Sequence, residues 1–563
     1  MASTPTTEGL VARPAGLAEQ YREAGYWKDE LLTAPIWRMA MQQPERTALI
    51  DGSVRMSYSE MCSRADALGS RLRRLGFEPD DRVLVQLPNT WEFIVFLLGC
   101  LRVGVIPVMA LPAHRRHELE YLAEHSGAVA IAVPDVLRDF DHQELAEAIR
   151  DAVPSVRDIV VLGKANPGGI DLRELCEPPA DGGDPSAELD SLAISPDAVA
   201  VFLLSGGTTG LPKLIPRSHN DYRYNAEVSS EVAGFDANTV YLVVLPAGHN
   251  FPLACPGLLG AFLAGGSVVM LQSPEPGRAF SAIAEHGVTH VAAVPAVVQR
   301  WIDHEESGST GQLATLRVLQ VGGSRLVDEL AARVRPVLGA TLQQVFGMAE
   351  GLLNMTALDD PDEVVVGTQG RPVSPGDEVR IVDDDGEALA AGERGVLQTR
   401  GPYTLCGYYR AAEHNRRSFT SDGWYITGDI VELREDGNLV VQGRDKDLIN
   451  RAGEKISGEE VENLLYRHPG IEMNAAVAMP DPVLGERVCV YATLRAGHRI
   501  ELEDLRRLMR DAGVAAYKLP EVLVIVDDMP LTKVGKIDKK ALRDDLARRG
   551  TIGLGETVVA GRD

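Results

Sequence analysis

The sequence has few cysteines, few aromatic residues and no long apolar run. Its six cysteines among 563 residues form no CxxC pair, which argues against a disulfide scaffold and against a zinc-finger spacing. Basic residues are outnumbered: 56 Lys and Arg against 81 Asp and Glu give a net charge of −25, which disfavours nucleic acid as a partner. The most apolar window, 93–101, is too short to span a bilayer, and residues 1–20 lack a signal-peptide pattern. We therefore expect a cytoplasmic protein with no membrane partner.

What is present is a regular alternation of short apolar runs and helical stretches from Trp37 onward, for example a strand at 82–87 followed by a helix at 90–101. Such alternation predicts an α/β fold of layered subdomains with mostly parallel sheets. After Val364, short strands joined by Asp-Gly turns predict a small barrel-like β subdomain, and a compact α+β domain follows it. The predicted divisions are an N-terminal arm (1–35), a large domain (36–443), a boundary segment (444–446), a C-terminal α+β domain (447–549) and a loose tail (550–563).

The strongest local signal is the segment 205–213, Ser-Gly-Gly-Thr-Thr-Gly-Leu-Pro-Lys, directly after the apolar run 201–204. Glycines let backbone N–H groups approach an anion, hydroxyls donate to phosphate oxygens, and Lys213 adds a positive charge. The segment therefore predicts a phosphate cradle, although a flexible surface loop has the same composition. It does not match the GxxxxGK[ST] pattern, which disfavours P-loop nucleotide hydrolysis.

This loop resembles the phosphate-binding loop of the adenylate-forming superfamily, which includes acyl-CoA synthetases, peptide synthetase adenylation domains and luciferases. Four further motifs agree in the family's order, at 346–351, 425–429, 443–449 and 530–537. Within the superfamily, the segments 213–222, 249–253 and 344–351 are most similar to stand-alone salicylate–AMP and 2,3-dihydroxybenzoate–AMP ligases. The resemblance implies an ATP- and Mg²⁺-dependent ligase that converts an aryl acid to aryl-AMP and pyrophosphate.

The same resemblance assigns roles residue by residue. It implies catalytic roles for Lys536, which would bridge the carboxylate and the α-phosphate, for His249 near the carboxylate, and for Glu350 as the Mg²⁺ ligand. Without the family resemblance, Lys536 would be interpreted as a solvated lysine and Glu350 as a surface carboxylate. The implied nucleotide-binding residues, among which Asp429 accepts from the ribose hydroxyls, are Ser205, Gly206, Gly207, Thr208, Thr209, Gly210, Lys213, Gly323, Ser324, Val345, Phe346, Gly347, Met348, Ala349, Asp429 and Arg444.

The implied aryl-acid pocket is lined by His249, Asn250, Phe251, Cys255, Gly323, Val345, Gly347 and Leu353. In the resembling enzymes, the amide of the Asn binds the ortho-hydroxyl of the acid. Cys255 replaces the usual Ser of dihydroxybenzoate enzymes, and Leu353 replaces a Val, so a 3-hydroxyl loses a partner and space. This favours salicylate, with 2,3-dihydroxybenzoate and 6-methylsalicylate as alternatives. The alternative interpretation is that Cys255 and Leu353 serve only core packing.

The resemblance also implies a second half-reaction. Segment 443–449 resembles the hinge about which the small domain rotates, with Lys446 as the pivot, and segment 453–456 is a candidate for the later state. The acceptor is then the phosphopantetheine thiol of an aryl carrier protein, supplied in trans, as in starter loading for siderophore-type nonribosomal synthesis. Two alternative hypotheses remain: the protein is an aryl-CoA synthetase, or it is a non-catalytic nucleotide-binding paralogue.

Overall fold

The computed structural model describes residues 8–14, 16–180, 183–205, 211–308, 311–323, 325–326, 328–383, 385–444, 448–530, 537–549 and 557–559. Its helices are α1 (Leu17–Glu23), α2 (Ala34–Gln42), α3 (Tyr58–Arg74), α4 (Trp91–Val103), α5 (Arg116–Ser126), α6 (His142–Ala152), α7 (Leu172–Cys176), α8 (Ser186–Asp190), α9 (His219–Val232), α10 (Asn250–Ala254), α11 (Gly257–Leu263), α12 (Pro276–His286), α13 (Pro295–Ser307), α14 (Asp328–Leu338), α15 (Asp362–Gly367), α16 (Ala412–Ser418), α17 (Gly458–Leu465), α18 (Leu502–Asp511) and α19 (Lys539–Arg549), with a 3₁₀ turn at Ala516–Lys518.

Its strands are β1 (Thr47–Asp51), β2 (Val54–Ser57), β3 (Arg82–Val85), β4 (Ile106–Met109), β5 (Ala130–Pro134), β6 (Val136–Leu137), β7 (Phe140–Asp141), β8 (Asp158–Leu162), β9 (Ile170–Asp171), β10 (Val199–Leu204), β11 (Leu214–Ser218), β12 (Val240–Val243), β13 (Ser267–Met270), β14 (His290–Ala293), β15 (Val318–Val321), β16 (Thr341–Gly347), β17 (Leu353–Met355), β18 (Arg371–Pro372), β19 (Glu378–Val382), β20 (Arg394–Arg400), β21 (Tyr425–Leu433), β22 (Leu439–Arg444), β23 (Leu448–Arg451), β24 (Glu454–Ser457), β25 (Ile471–Asp481), β26 (Gly485–Leu494), β27 (Val522–Ile525) and β28 (Thr557–Val559).

Two large sheets form the body of the protein, and both are mainly parallel. One has the order β18-β17-β16-β15-β14-β12-β13-β1-β2, and the other the order β11-β10-β4-β3-β5-β8-β9. The strands from β12 to β16 pair in parallel, as do β3 with β4 and β5. The α/β class is therefore confirmed, and the carboxyl ends of several parallel strands are available at one edge, where such folds place ligands.

Helix α4 explains the most apolar window of the sequence. Every residue from Glu92 to Val103 in this helix is buried, because the helix is packed on all sides within the large domain. Gly99 lets α3 and α4 approach closely, since a Cβ there would lie 2.6 Å from Leu68 Cδ2 and 2.9 Å from the Ala65 carbonyl oxygen. The window is thus a core helix, and among the described residues no helix combines the length and apolarity that crossing a bilayer requires.

The C-terminal half of the chain changes to antiparallel pairing. Strands β19 to β22 form a four-stranded meander, which is the small β subdomain that the Asp-Gly turns predict. The last domain is a mixed sheet, β24-β23-β26-β27-β28 with β25 on β26, and it has hydrophobic clusters of its own.

The described parts of both ends of the chain pack against the rest of the protein, which corrects the prediction of a loose tail. The described part of the predicted arm packs onto the large domain: Trp27 is 4% exposed, its indole N–H donates to the Pro402 carbonyl, and Leu32 is fully buried. The predicted loose tail includes β28, which pairs in parallel with β27. Both segments make contacts with distant parts of the chain, which a local sequence pattern does not indicate.

Candidate active site

A cavity opens where the two parallel sheets end and the C-terminal domain begins. Ser205 follows β10, the segment with His249 and Asn250 follows β12, Gly323 follows β15, and the last residues of β16 complete the edge. The cavity brings together these predicted site residues: Ser205, His249, Asn250, Phe251, Cys255, Gly323, Val345, Gly347, Met348, Ala349, Glu350 and Leu353. Residues that are nearly 150 positions apart in the sequence therefore face one space.

One end of the cavity is apolar with a single amide. Asn250 begins the short helix α10, where the ring of His249 accepts the Phe251 backbone N–H at 3.3 Å and so caps the helix. The Asn250 amide nitrogen donates to Cys255 Sγ at 3.2 Å, and burial raises the pKa of Cys255 to about 12, so the sulfur stays a neutral thiol. Leu353 is 2% exposed and closes this end.

The glycines of the site are required by close approach. A Cβ at Gly347 would lie 2.6 Å from Leu353 Cδ1, so any side chain there would displace the leucine. Gly323 adopts a φ of +86°, and a Cβ there would lie 3.4 Å from Gly453 Cα of the C-terminal domain. The backbone around the cavity therefore leaves no room for larger residues.

The other end of the cavity carries polar groups. Glu350 is 6% exposed, and the Tyr408 hydroxyl donates to its Oε1 at 2.9 Å; Tyr408 is in turn hydrogen-bonded to the Tyr425 hydroxyl. Ser205 Oγ is buried and has no hydrogen-bond partner among the described residues. An orphaned hydroxyl and a fixed carboxylate that line the same cavity fit a polyanionic ligand with its cation.

Not every predicted residue lines the cavity. Lys213 is buried behind it, with Nζ 5.8 Å from the centre of the Tyr408 ring. Phe346 lies on β16 between two lining residues, and Asp429 on β21 is 4% exposed and is paired in register with Arg444 on β22. The predictions for Gly206, Gly207, Thr208, Thr209, Gly210, Ser324, Lys446 and Lys536, and for the Arg444 side chain, lie outside the described residues.

The C-terminal domain supplies a wall of the cavity that sequence reasoning largely missed. Gly453 and Glu454 lie at the turn between β23 and β24 and line the cavity, as do Glu460, Tyr517 and Lys518. The turn was singled out in the sequence, but the other three carry no motif. The large domain adds further residues without a sequence signal, which are Met109, Leu111, His114, Leu203, Leu204, Pro212 and Gly248.

Lys518 joins the two domains through a buried ion cluster. Its Nζ lies 3.1 Å from Glu118 Oε1 of the large domain and 2.9 Å from Glu460 Oε2 of its own domain, and all three residues are less than 5% exposed. Burial alone would raise the pKa of Glu118, but the charges of Lys518 and His114 outweigh it and lower that pKa. Burial alone would lower the pKa of Lys518, but the two carboxylates raise it. Glu118 and Lys518 therefore both keep their charges at neutral pH.

A second contact holds the same arrangement. The Asn450 amide donates to the Gly323 carbonyl at 3.2 Å, which places the β23–β24 turn against the loop after β15. Burial raises the pKa of the neighbouring Glu454 to about 7, with Lys518 and Arg451 opposing that rise. By contrast, Pro530 and Ile537, which flank the segment containing Lys536, do not line the cavity.

Comparison with known proteins agrees with this geometry. The model of the AMP-binding enzyme family matches residues 36–409, and that of the AMP-binding enzyme C-terminal domain matches residues 460–536. The chain belongs to the AMP-binding enzyme family. It is an adenylate-forming ligase, and enzymes of this family use ATP.

Similar proteins share nearly the whole chain. A Streptomyces protein named salicylyl-CoA synthase / salicylate adenylyltransferase is 56% identical over 96% of this chain and 98% of its own. The salicyl-AMP ligase / salicyl-S-ArCP synthetase of Mycobacterium tuberculosis is 47% identical over 95% of this chain and 94% of its own. The apo structure of Mycobacterium smegmatis MbtA aligns with a TM-score of 0.73 at 46% identity, covering 95% of this chain and 98% of that one.

Proposed function

We propose that this adenylate-forming enzyme activates salicylate with ATP to give salicyl-AMP and pyrophosphate, and then transfers the salicyl group to a thiol. The observation that carries the proposal is the cavity itself, which places one amide, that of Asn250, in an apolar end and a buried carboxylate, Glu350, in a polar end. The apolar end suits an aromatic ring with one polar substituent. The polar end suits phosphate groups, which the acid's carboxylate must approach.

The pocket chemistry favours salicylate over 2,3-dihydroxybenzoate. Cys255 Sγ already accepts the Asn250 N–H, and a thiol is a weak partner for a second ring hydroxyl. Leu353 fills the space beside Gly347, where a smaller side chain would leave room for that hydroxyl. A buried hydroxyl without a partner is costly, so the site discriminates against it. A 6-methyl group needs volume and no hydrogen-bond donor, so 6-methylsalicylate remains an alternative substrate, and we include it among the acids assayed below.

Glu350 and Ser205 fit the nucleotide and its metal. Among the described residues no three His, Cys, Asp or Glu side chains form a metal cluster, so the protein offers Mg²⁺ one carboxylate, Glu350, as is usual when phosphate oxygens supply other ligands. A bound Mg²⁺ would neutralise part of the negative charge of the phosphate groups. The Tyr408 hydrogen bond orients Glu350 for that contact, and the unpartnered hydroxyl of Ser205 is placed to donate to a phosphate oxygen.

Two anions must meet in the first half-reaction, so cations near the carboxylate are required. Lys536 is proposed to bridge the acid and the α-phosphate, and Asp429 with Arg444 to hold the ribose. Because the residues that flank Lys536 lie away from the cavity lining while Gly453 and Glu454 contribute to it, we infer that the small domain turns about Lys446 between the two half-reactions. His249, at the cap of α10, is proposed to gate the carboxylate.

The thiol acceptor has two candidates. The phosphopantetheine arm of an aryl carrier protein, provided in trans as in siderophore-type synthesis, is supported by the mycobacterial relative, whose name includes salicyl-S-ArCP synthetase. Free coenzyme A is supported by the Streptomyces relative, whose name includes salicylyl-CoA synthase. We favour the carrier protein, because segments 213–222, 249–253 and 344–351 are most similar to stand-alone aryl-acid–AMP ligases, which load carrier proteins.

The experiment is ATP–pyrophosphate exchange with benzoate, salicylate, 6-methylsalicylate, 2,3-dihydroxybenzoate and 3-hydroxybenzoate, followed by thioester formation with coenzyme A and with a holo-aryl carrier protein. We expect the highest kcat/KM with salicylate and faster transfer to the carrier. Absence of exchange with every acid would favour a non-catalytic paralogue and would refute the proposal. Faster transfer to coenzyme A would assign the alternative acceptor.

A further inference from the structure

The side chain of Asn250 is held at both ends of its amide. The Tyr222 hydroxyl donates to Oδ1 at 3.0 Å, and Nδ2 donates to Cys255 Sγ at 3.2 Å. If the amide were turned over, its nitrogen would face the phenol and its oxygen would face the thiol. The phenolic proton of Tyr222, which is fully buried, would then lose the acceptor that it has in the structure. Since stranding a buried donor is costly, the observed orientation is favoured.

Tyr222 is itself fixed in place. It lies on α9 with no exposed surface, and the Arg217 guanidinium lies over its ring at 4.7 Å from the ring centre. Arg217 is in turn anchored, because its Nε donates to Asp221 Oδ1 at 2.7 Å and its Nη1 donates to the Ala349 carbonyl at 3.1 Å. Burial also raises the pKa of Tyr222 well above its usual value, which keeps the phenol protonated. The hydroxyl therefore acts as a constant donor to the amide.

Because Tyr222 fixes the orientation of the Asn250 amide, the amide presents a hydrogen-bond donor to the cavity. The Asn250 oxygen is engaged by Tyr222, which does not line the cavity, and its nitrogen donates to Cys255, which does. We therefore infer that the N–H side of the amide faces the cavity. In a 2-hydroxy aryl acid, the hydroxyl proton is bound internally by the neighbouring carboxylate, so the oxygen presents lone pairs outward and needs a donor. In a 2-amino aryl acid, a second N–H points outward and meets another donor. An N–H donor in the cavity therefore separates the two classes.

We propose that Tyr222 is a specificity-determining positioning residue: by fixing the amide of Asn250 with its N–H groups toward the substrate, it selects 2-hydroxy over 2-amino aryl acids. This inference rests on the proposed function, because it requires an aryl acid in this end of the cavity. It adds a residue that does not line the cavity and that acts through a neighbour which does.

The test is the Tyr222→Phe variant, assayed by ATP–pyrophosphate exchange with salicylate, 2-aminobenzoate and benzoate. Loss of the hydroxyl lets the amide invert, so the ratio of kcat/KM for salicylate to that for 2-aminobenzoate is expected to fall about tenfold, the worth of one hydrogen bond. The rate with benzoate, which has no ortho substituent, is expected to stay within about twofold. A purely structural defect would lower all three rates alike.

Tyr241→Phe is the matched control. Tyr241 is also fully buried, and its hydroxyl has no hydrogen-bond partner among the described residues, so removing that hydroxyl is expected to leave the ratio unchanged. An unchanged ratio in Tyr222→Phe, or an equal fall in both variants, overturns the inference. If the wild type exchanges with none of the acids, the proposed function fails instead, so the two failures are distinguishable.

A second variant tests the same inference in case Tyr222→Phe folds poorly. Asn250→Asp keeps an oxygen for the Tyr222 hydroxyl and turns the other oxygen, an acceptor, toward the substrate. The preference is then expected to shift toward 2-aminobenzoate by at least about tenfold relative to the wild type, whatever the overall rate. A ratio that still equals the wild-type ratio contradicts the assignment of amide polarity.

Discussion

The Lys518→Met variant removes a buried cation from between two carboxylates that belong to different domains. Glu118 is fully buried in the large domain, and Glu460 in the small domain is 4% exposed. Methionine restores the packing of the lysine stem but removes the ammonium that lies between Glu118 and Glu460. Removing one partner from a buried ion pair costs about 3–5 kcal/mol, because an uncompensated charge stays buried.

That cost falls on the docking of the small domain rather than on the folding of either domain. If the small domain moves away, water reaches Glu118 and the penalty is relieved. At about 1.4 kcal/mol per tenfold change, 3 kcal/mol lowers the equilibrium constant for docking by about 150-fold. Thioester formation, which we assign to this arrangement, is expected to slow by a similar factor, while pyrophosphate exchange changes by less than about threefold.

The assay measures both half-reactions on the same preparation, with Lys28→Met as the control. Lys28 pairs with Glu227 at 2.8 Å, but its side chain is 52% exposed, so its loss is expected to cost at most about 1 kcal/mol. The double variant Glu118→Gln/Lys518→Met removes one stranded charge and is expected to recover part of the thioester rate. Equal loss in both half-reactions, or an unchanged thioester rate, would show that Lys518 does not stabilise the docked small domain.

Three further predictions concern the site. Lys536→Ala is expected to lower pyrophosphate exchange by at least about 10²-fold without changing the circular dichroism spectrum, and near-normal exchange would contradict its assignment. Cys255→Ser supplies a stronger hydrogen-bond partner, so kcat/KM for 2,3-dihydroxybenzoate relative to salicylate is expected to rise about tenfold; a constant ratio would mean that Cys255 serves packing alone. Because burial raises the pKa of Glu454 from 4.5 to about 7, the docked state holds a proton that the released state lacks, so docking weakens as pH rises from about 5 to 7. Thermal unfolding against pH measures this, and Glu454→Gln should flatten the profile; identical profiles would disprove the link.

The sequence predicted the elements that local pattern determines. The strand predicted at 82–87 is found at Arg82–Val85, and the helix predicted at 90–101, which contains the apolar window, is the buried helix Trp91–Val103. Residues that follow parallel strands, such as Asn250 and Gly323, meet in one cavity as the motifs implied, because the carboxyl ends of those strands lie at one edge.

Long-range partners were beyond the reach of sequence patterns. Glu118 and Lys518 are 400 positions apart, and neither lies in a motif, so their ion pair follows only from domain docking. Tyr222 stood inside a quoted motif, but its contact with the Asn250 amide depends on how α9 packs against α10. The packing of the segment 1–35 was not predicted for the same reason, since Trp27 and Leu32 contact Pro402 and His219 from much later in the chain.

The most direct measurement is a crystal structure with a non-hydrolysable salicyl-adenylate bound. We expect the ring to lie against Leu353, its hydroxyl oxygen to accept the Asn250 N–H, and the phosphate to lie beside Ser205 and Glu350. A ring bound elsewhere, or an Asn250 amide turned with its oxygen toward the ligand, would contradict this expectation.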